Sequence, residues 1–185
     1  MNINWVLADQ IILDPTVDID QMKELGSIWG SWRTWRACLT DNVVCHNTKK
    51  AHELIQRNFH ANCNFYIQNS TYQTLGKPDN VNIFEGQFIE DVEQADEIIS
   101  MHLASTVSDI ILLLGFDWQE QTKHTDKLIE HKARVYRTLV DHAIKDNPQV
   151  QWVLVDHEAE LRPELAKLEN LTKDSMENIL KLIPS

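Results

Sequence analysis

Ser108-Asp109-Ile110-Ile111-Leu112-Leu113-Leu114-Gly115-Phe116-Asp117-Trp118 decides how the rest of the chain is read. Five consecutive aliphatic residues stand between an Asp and a Gly. The run is too short to span a bilayer and suits a strand buried on both faces, the central strand of a parallel sheet. In such sheets ligands sit beyond the carboxyl ends of the strands, so Gly115, Phe116 and Asp117 fall where chemistry is expected, with Gly115 giving the backbone room to turn.

Working outward, short apolar runs alternate with helical patterns. Strands are expected at Asn4 to Ala8, Asn42 to Cys45, Asn64 to Ile67, Val81 to Phe84 and Gln151 to Val155. Between them, Ala51, Leu54, Ile55 and Phe59 keep helical spacing behind a cap at Asn47 or Thr48, and a helix from about Glu90 carries Val92, Ala95, Ile98, Ile99 and Met101. A long amphipathic helix carries Leu128, Ile129, Ala133, Tyr136, Leu139, Val140, Ala143 and Ile144 up to Asp146-Asn147-Pro148. Pro163 opens a further helix through Leu165, Leu168 and Leu171, continued at Met176, Ile179, Leu180 and Ile183. From Asp18 on, Met22, Leu25, Ile28, Trp29, Trp32, Trp35 and Leu39 form one broad helical face that Gly26 and Gly30 interrupt, so the helix either runs on from Asp18 or starts near Ser27 or Ser31 after a looped Gly-Ser segment. The expected fold is α/β, a three-layer Rossmann-like sandwich with about six mainly parallel strands, in a single domain over residues 1–185.

Composition bounds the function. Hydrophobic residues make up 43% of the chain, which excludes a disordered protein, and no apolar run reaches membrane-spanning length. Met1-Asn2-Ile3-Asn4 has no basic region and no cleavage pattern follows, so a cytoplasmic location is expected. Three cysteines, Cys38, Cys45 and Cys63, without a C-x-x-C pair read as reduced thiols packed as small hydrophobes. A net charge of −11 argues against a nucleic-acid backbone as partner, because that affinity comes from Lys and Arg. The acid run from Glu85 to Glu97 reads as a solvated helix start.

G-x-G-x-x-G, G-x-x-x-x-G-K-[ST], G-x-S-x-G and H-E-x-x-H are all absent from the sequence, which disfavours the usual dinucleotide dehydrogenase, P-loop NTPase, α/β-hydrolase and zinc protease. What remains is a set of strand ends: Asp9, His46, Asn47, Asn69, Asp117, Asp156 and His157. In a parallel sheet these share one edge. Asp117 and Asp156 suit a general acid and base, or a divalent cation with His46 or His157, and spacing does not separate these chemistries. His102, on the apolar face of its helix, is either a core residue or a catalytic one. Arg33 and Arg36 lie at and inside the Trp-rich face of residues 26–36, where a guanidinium either extends past the rings to water or meets an anion.

The run Asp96 to Asp117, DEIISMHLASTVSDIILLLGFD, resembles the helix-then-strand segment of bacterial sialyltransferases and related Rossmann-like glycan-modifying proteins, although the Gly-Pro-Ser loop of those families has no counterpart after the first strand. The whole chain is similar to hypothetical proteins of marine cyanobacterial phages, a resemblance that implies a viral protein in a host cytoplasm and no particular activity.

These readings lead to a small cytoplasmic enzyme or binding protein for a phosphorylated or nucleotide-containing small molecule, bound at the carboxyl edge of the sheet. Asp117, Asp156 and His102 are its candidate catalytic residues. Arg33, Arg36, His46, Asn47 and Asp9 are its candidate ligand contacts, and a divalent cation is a candidate cofactor. The second reading is a non-catalytic, viral interaction protein that uses residues 26–36 as its contact surface. Self-association, as a dimer first, is expected from the six Trp and the long amphipathic helix. A single domain should unfold in one transition and be cut first at Gly76 to Asn80 or Gln119 to Thr125; two stable halves released early in limited proteolysis would refute it.

Overall fold

A computed structural model describes residues 1–8, 18–38, 40–86, 95–116, 127–156 and 161–183; Asp9, Asp117 and His157 lie outside these. Among the described residues eight strands form one sheet: β1 (Ile3–Leu7), β2 (Ser27–Ser31), β3 (Asn42–Cys45), β4 (Asn64–Gln68), β5 (Asn82–Phe84), β6 (Ile110–Leu114), β7 (Gln151–Val155) and β8 (Leu171–Asp174). Their spatial order is β5-β4-β3-β2-β1-β6-β7-β8, and every neighbouring pair is parallel. The helices are α1 (Ile19–Leu25), α2 (Trp32–Cys38), α3 (Thr48–Gln56), α4 (Asn69–Thr74), α5 (Ala95–Ser105), α6 (Lys127–Lys145) and α7 (Met176–Leu180). The fold is a Rossmann-like three-layer α/β sandwich with eight strands where the sequence suggested six.

β6 does what its sequence requires. Ile111, Leu112 and Leu113 are buried, on alternating sides of the sheet. Each such side chain stabilises the fold by about 1.5–3 kcal/mol. On one side Trp5, Leu7, Ile28 and Leu112 pack with Met22 of α1 and Met176 and Ile179 of α7, while Val43, Cys45, Phe65 and Ile67 pack with Ala51 and Leu54 of α3. On the other, Val6, Trp29, Ile111, Leu113, Trp152 and Leu154 pack with Ile98, Met101 and Ala104 of α5 and Tyr136, Val140 and Ile144 of α6. The sheet grows away from β1 in both directions, and its covering helices change face with the direction. That keeps one crossover hand throughout and makes the β1/β6 boundary the topological switch point.

The stripe from Met22 to Trp35 is not one helix, and its later part starts directly after Ser31, one of the two starts the sequence offered. It splits into α1, β2 and α2, because Ser27–Ser31 finds partners on both sides, with Trp5 beside Ile28 and Gly30 beside Val43. Ile28 and Trp29 then face opposite layers, each buried. Asp41 fixes the entry: its Oδ2 accepts the Ile28 N–H at 2.9 Å, its own N–H donates to the Ile28 carbonyl at 3.0 Å, and Oδ1 meets Lys23 Nζ at 3.1 Å. The helix expected from Pro163 is likewise replaced. Residues 163–167 form turns, Leu165 packs in the core, and Leu171–Asp174 pairs with β7.

Gly26, between α1 and β2, lies so close to β1 that a Cβ there would stand 1.7 Å from the Ile3 carbonyl oxygen. Gly26→Ala should therefore cost about 3 kcal/mol or more in urea unfolding. Gly76→Ala, with φ +78 but open space around it, should cost about 1–2 kcal/mol. Equal costs would refute the close approach.

Candidate functional site at the carboxyl ends of β2 and β3

β2 passes into α2 without a loop. Ser31 Oγ accepts the backbone N–H groups of Arg33 at 2.9 Å and Thr34 at 3.3 Å, capping the helix. A Cβ on Gly30 would lie 3.0 Å from Thr34 Cβ, so α2 packs tightly on its own strand. One strand along, Asn47 Oδ1 accepts the Lys50 N–H at 2.9 Å and starts α3. These two helix starts stand side by side and aim three cations at one ring. Lys50 Nζ lies 4.3 Å from the Trp32 centroid, and the guanidinium carbons of Arg36 and Arg33 lie 4.8 Å and 5.3 Å from it. Trp32 is half-buried against the cluster of Val43, Phe59 and Phe65. The arginines thus neither run past the rings nor lie inside the core; they remain exposed and stack on one indole.

On the opposite side of β3, His46 donates both its backbone N–H and its Nδ1–H to Asp96 Oδ1, at 2.7 Å each. The carboxylate holds the imidazole ring in one orientation at the end of β3. Asp96 is 3% exposed and Glu97 1% exposed, both in the first turn of α5, where the helix dipole favours negative charge. Tyr136 of α6 donates its hydroxyl to Glu97 Oε2. Cys45 lies between the two groups: burial first, then the Asp96 charge, hold its thiol well above the ordinary range, while Lys50 and Arg33 pull the other way. The His46–Asp96 pair and the cations Lys50 and Arg33 thus each act on Cys45, from opposite sides of β3. Cys63 is pushed up to about 12 by burial, so neither thiol is poised as a nucleophile.

The structure thus brings together Arg33, Arg36, His46 and Asn47, although Asn47 uses its side-chain oxygen as a helix cap. It does not bring the others to them. Asp156, at the end of β7, takes φ 51 and accepts the Met176 N–H at 2.7 Å, the first N–H of α7, whose cap is Ser175. At the spacing of paired strands it stands about 19 Å from His46, too far to share a small ligand. His102 lies about 10 Å along α5 from Ala95, toward the amino edge of the sheet. Burial lowers its pKa and the Asp146 charge opposes that, which marks a residue of the α5–α6 packing rather than of the site. Asn69 pairs with Glu85 at 2.7 Å. Asp9 and Asp117 fall outside the described residues. The indoles of residues 26–36 turn inward: Trp29 is 5% exposed beside Tyr66, and Trp35 packs edge-on to Phe59 at 4.6 Å.

Lys50, Asp96, Glu97 and Tyr136 were not singled out from sequence as site residues. A signal existed for the two acids, which precede Ile98 and Ile99 in a helix with little polar surface, so a first-turn charge there is buried along with its neighbours. Among the described residues no three of His, Cys, Asp or Glu gather as metal ligands, and no helix is long and apolar enough to cross a membrane. Two open cavities of about 650 and 660 Å³, one along Asn4, Trp29 and Asn42, the other along Asp41, Cys63 and Asn64, lie at the amino ends of the strands. The cationic and proton-bearing side chains lie at the other edge, where parallel sheets hold ligands, and chemistry outweighs cavity size in choosing between them.

No family model, curated protein or solved structure matches the chain. The likeness of residues 96–117 to sialyltransferases therefore rests on that run alone.

His102 generates a pH dependence. Because its native pKa lies below the ordinary 6.5, the unfolded chain binds more protons there, and stability falls as pH drops below about 6.5 toward the native value. His102→Asn should flatten this acid limb. Urea midpoints at pH 7.5 and 5.5 check it, and an unchanged difference between the two would refute the assignment.

Proposed function

We propose that the protein binds a phosphorylated or nucleotide-containing small molecule at the carboxyl edge of its sheet, above β2 and β3, and handles a proton there through His46. The observation that carries this reading is the convergence of Arg33, Arg36 and Lys50 on Trp32 in a chain of net charge −11. Fixed guanidinium groups recognise phosphate oxygens through paired N–H donors, and a stacked guanidinium has less rotamer freedom to lose on binding. His46 supplies the acid–base side. Its Nδ1 lies 2.7 Å from the buried Asp96 carboxylate, which orients the ring for proton transfer and makes Asp96 the positioning residue. Asp117 follows β6 by three residues in the sequence and belongs in the same test.

Thermal unfolding with a panel of nucleotides, sugar nucleotides, phosphorylated metabolites and divalent ions tests the reading on wild type, Arg36→Ala and Asp117→Asn. A ligand present at a hundred times its Kd adds about 2.7 kcal/mol, a rise of roughly 5–10 °C for a chain of this size. At least one phosphorylated compound should produce it, and Arg36→Ala should lose most of it. Silence across the panel would overturn the proposal.

A further inference from the structure

We propose that the cluster on Trp32 recognises a terminal phosphate carrying two or more negative charges, a phosphomonoester or a pyrophosphate group, in preference to the single charge of a phosphodiester. This rests on the anion-binding reading above and narrows its ligand. The argument is one of charge count. Lys50 and Arg57 share a single acid, Glu53, at 2.8 and 3.1 Å. The Glu53 carboxyl sits below its ordinary range chiefly because Lys50 hydrogen-bonds to it, so it stays ionised and contributes one negative charge. Arg36 makes no ion pair among the described residues and rests on Trp32 at 4.8 Å. Among the described residues, Arg36, Lys50 and Arg57 exceed Glu53 by two positive charges, and the opposite charges of Arg33 and Asp96, which both reach Cys45, offset each other in the count.

A monoanion at this position leaves one of those charges unanswered, whereas a dianion matches both. Geometry adds to the charge. Arg36 presents a planar fork held against an indole that is itself packed into the core, and Lys50 is a compact charge on the same ring. Fork and point charge together suit a phosphate whose several free oxygens point outward, as at the end of a chain. An internal phosphodiester offers two such oxygens and one charge, in keeping with an acidic protein that has little general affinity for a nucleic-acid backbone.

Isothermal titration with methyl phosphate, dimethyl phosphate and inorganic pyrophosphate at pH 8 separates charge from size. Methyl phosphate should bind roughly tenfold more tightly than dimethyl phosphate, and pyrophosphate more tightly again. Arg36→Ala should weaken methyl phosphate about tenfold and reduce its advantage over dimethyl phosphate, while Arg36→Lys should keep part of that advantage; Arg36→Gln replaces the alanine variant if the latter melts early. Dimethyl phosphate binding as well as methyl phosphate would overturn the charge preference and leave the broader reading intact. An advantage unchanged in Arg36→Ala would overturn its assignment to this cluster. If none of the three probes binds, the inference falls, and the broader reading falls with it only when the nucleotide panel is silent too.

Discussion

The approach of Gly26 to the Ile3 carbonyl is the contact on which the rest of the arrangement depends. With no side chain at residue 26, the chain can leave α1 and run directly alongside β1, so that Asn4, Trp5 and Val6 pair with Ser27, Ile28 and Trp29. Any Cβ there would push β2 off the edge of β1. Everything on that side of the sheet is added outward from β2, including α2, β3 and α3. The cations on Trp32 are therefore where they are because a glycine some distance below them, at the other end of β2, lets the strand in.

Buried charge is the second organising cost, and each described case is answered by a specific partner. Asp96 takes two donors from His46, Glu97 takes the Tyr136 hydroxyl, and Asp141 on α6 pairs with Arg162. An unpartnered buried carboxylate would shift toward its neutral form or destabilise the fold, so these pairs also restrict how α5 and α6 can sit on the sheet. The α5 case differs from the other because two acids in succession share one helix start. Their side chains leave the helix in different directions, one to the end of β3 and one to α6, which ties three elements at a single turn.

Much of this fold could be read from the sequence, for identifiable reasons. β3 and β7 were placed to the residue because each is a compact apolar run closed by polar residues, and Asn47 was foreseen as a cap from its place before a helical pattern. β2 was missed because Ile28, Trp29 and Trp32 satisfy a helical period as well as a strand, and only pairing with β1 and β3 decides between them. β8 was missed because Leu-Thr-Lys-Asp buries just Leu171, so its strand character comes from the open edge of β7 and not from its own residues. At the site, the arginines were legible as cations among aromatic residues. Their common ring was not, since Lys50 reaches Trp32 from another helix. The acids at 96 and 97 were read as solvated because charge runs usually are, and tertiary packing overrode that local preference.

Strand ends in a parallel sheet share an edge but not a site, and the spacing between strands sets the difference. Neighbouring strands lie about 4.8 Å apart, so residues two strands away can touch one small ligand and residues four strands away cannot. The polar residues at the carboxyl ends accordingly divide, with His46 and the cations above β2 and β3 on one side and Asp156 above β7 on the other, where it accepts the first N–H of α7. The positive group can act within an acidic chain because charges separated by more than about 8 Å of salt solution are largely screened. Arg33, Arg36 and Lys50 gather within 5.3 Å of one ring centroid, with Glu53 2.8 Å from Lys50. Net charge therefore argues against extended polyanions, which must cover a wide surface, and leaves room for a compact anion that needs only one cluster.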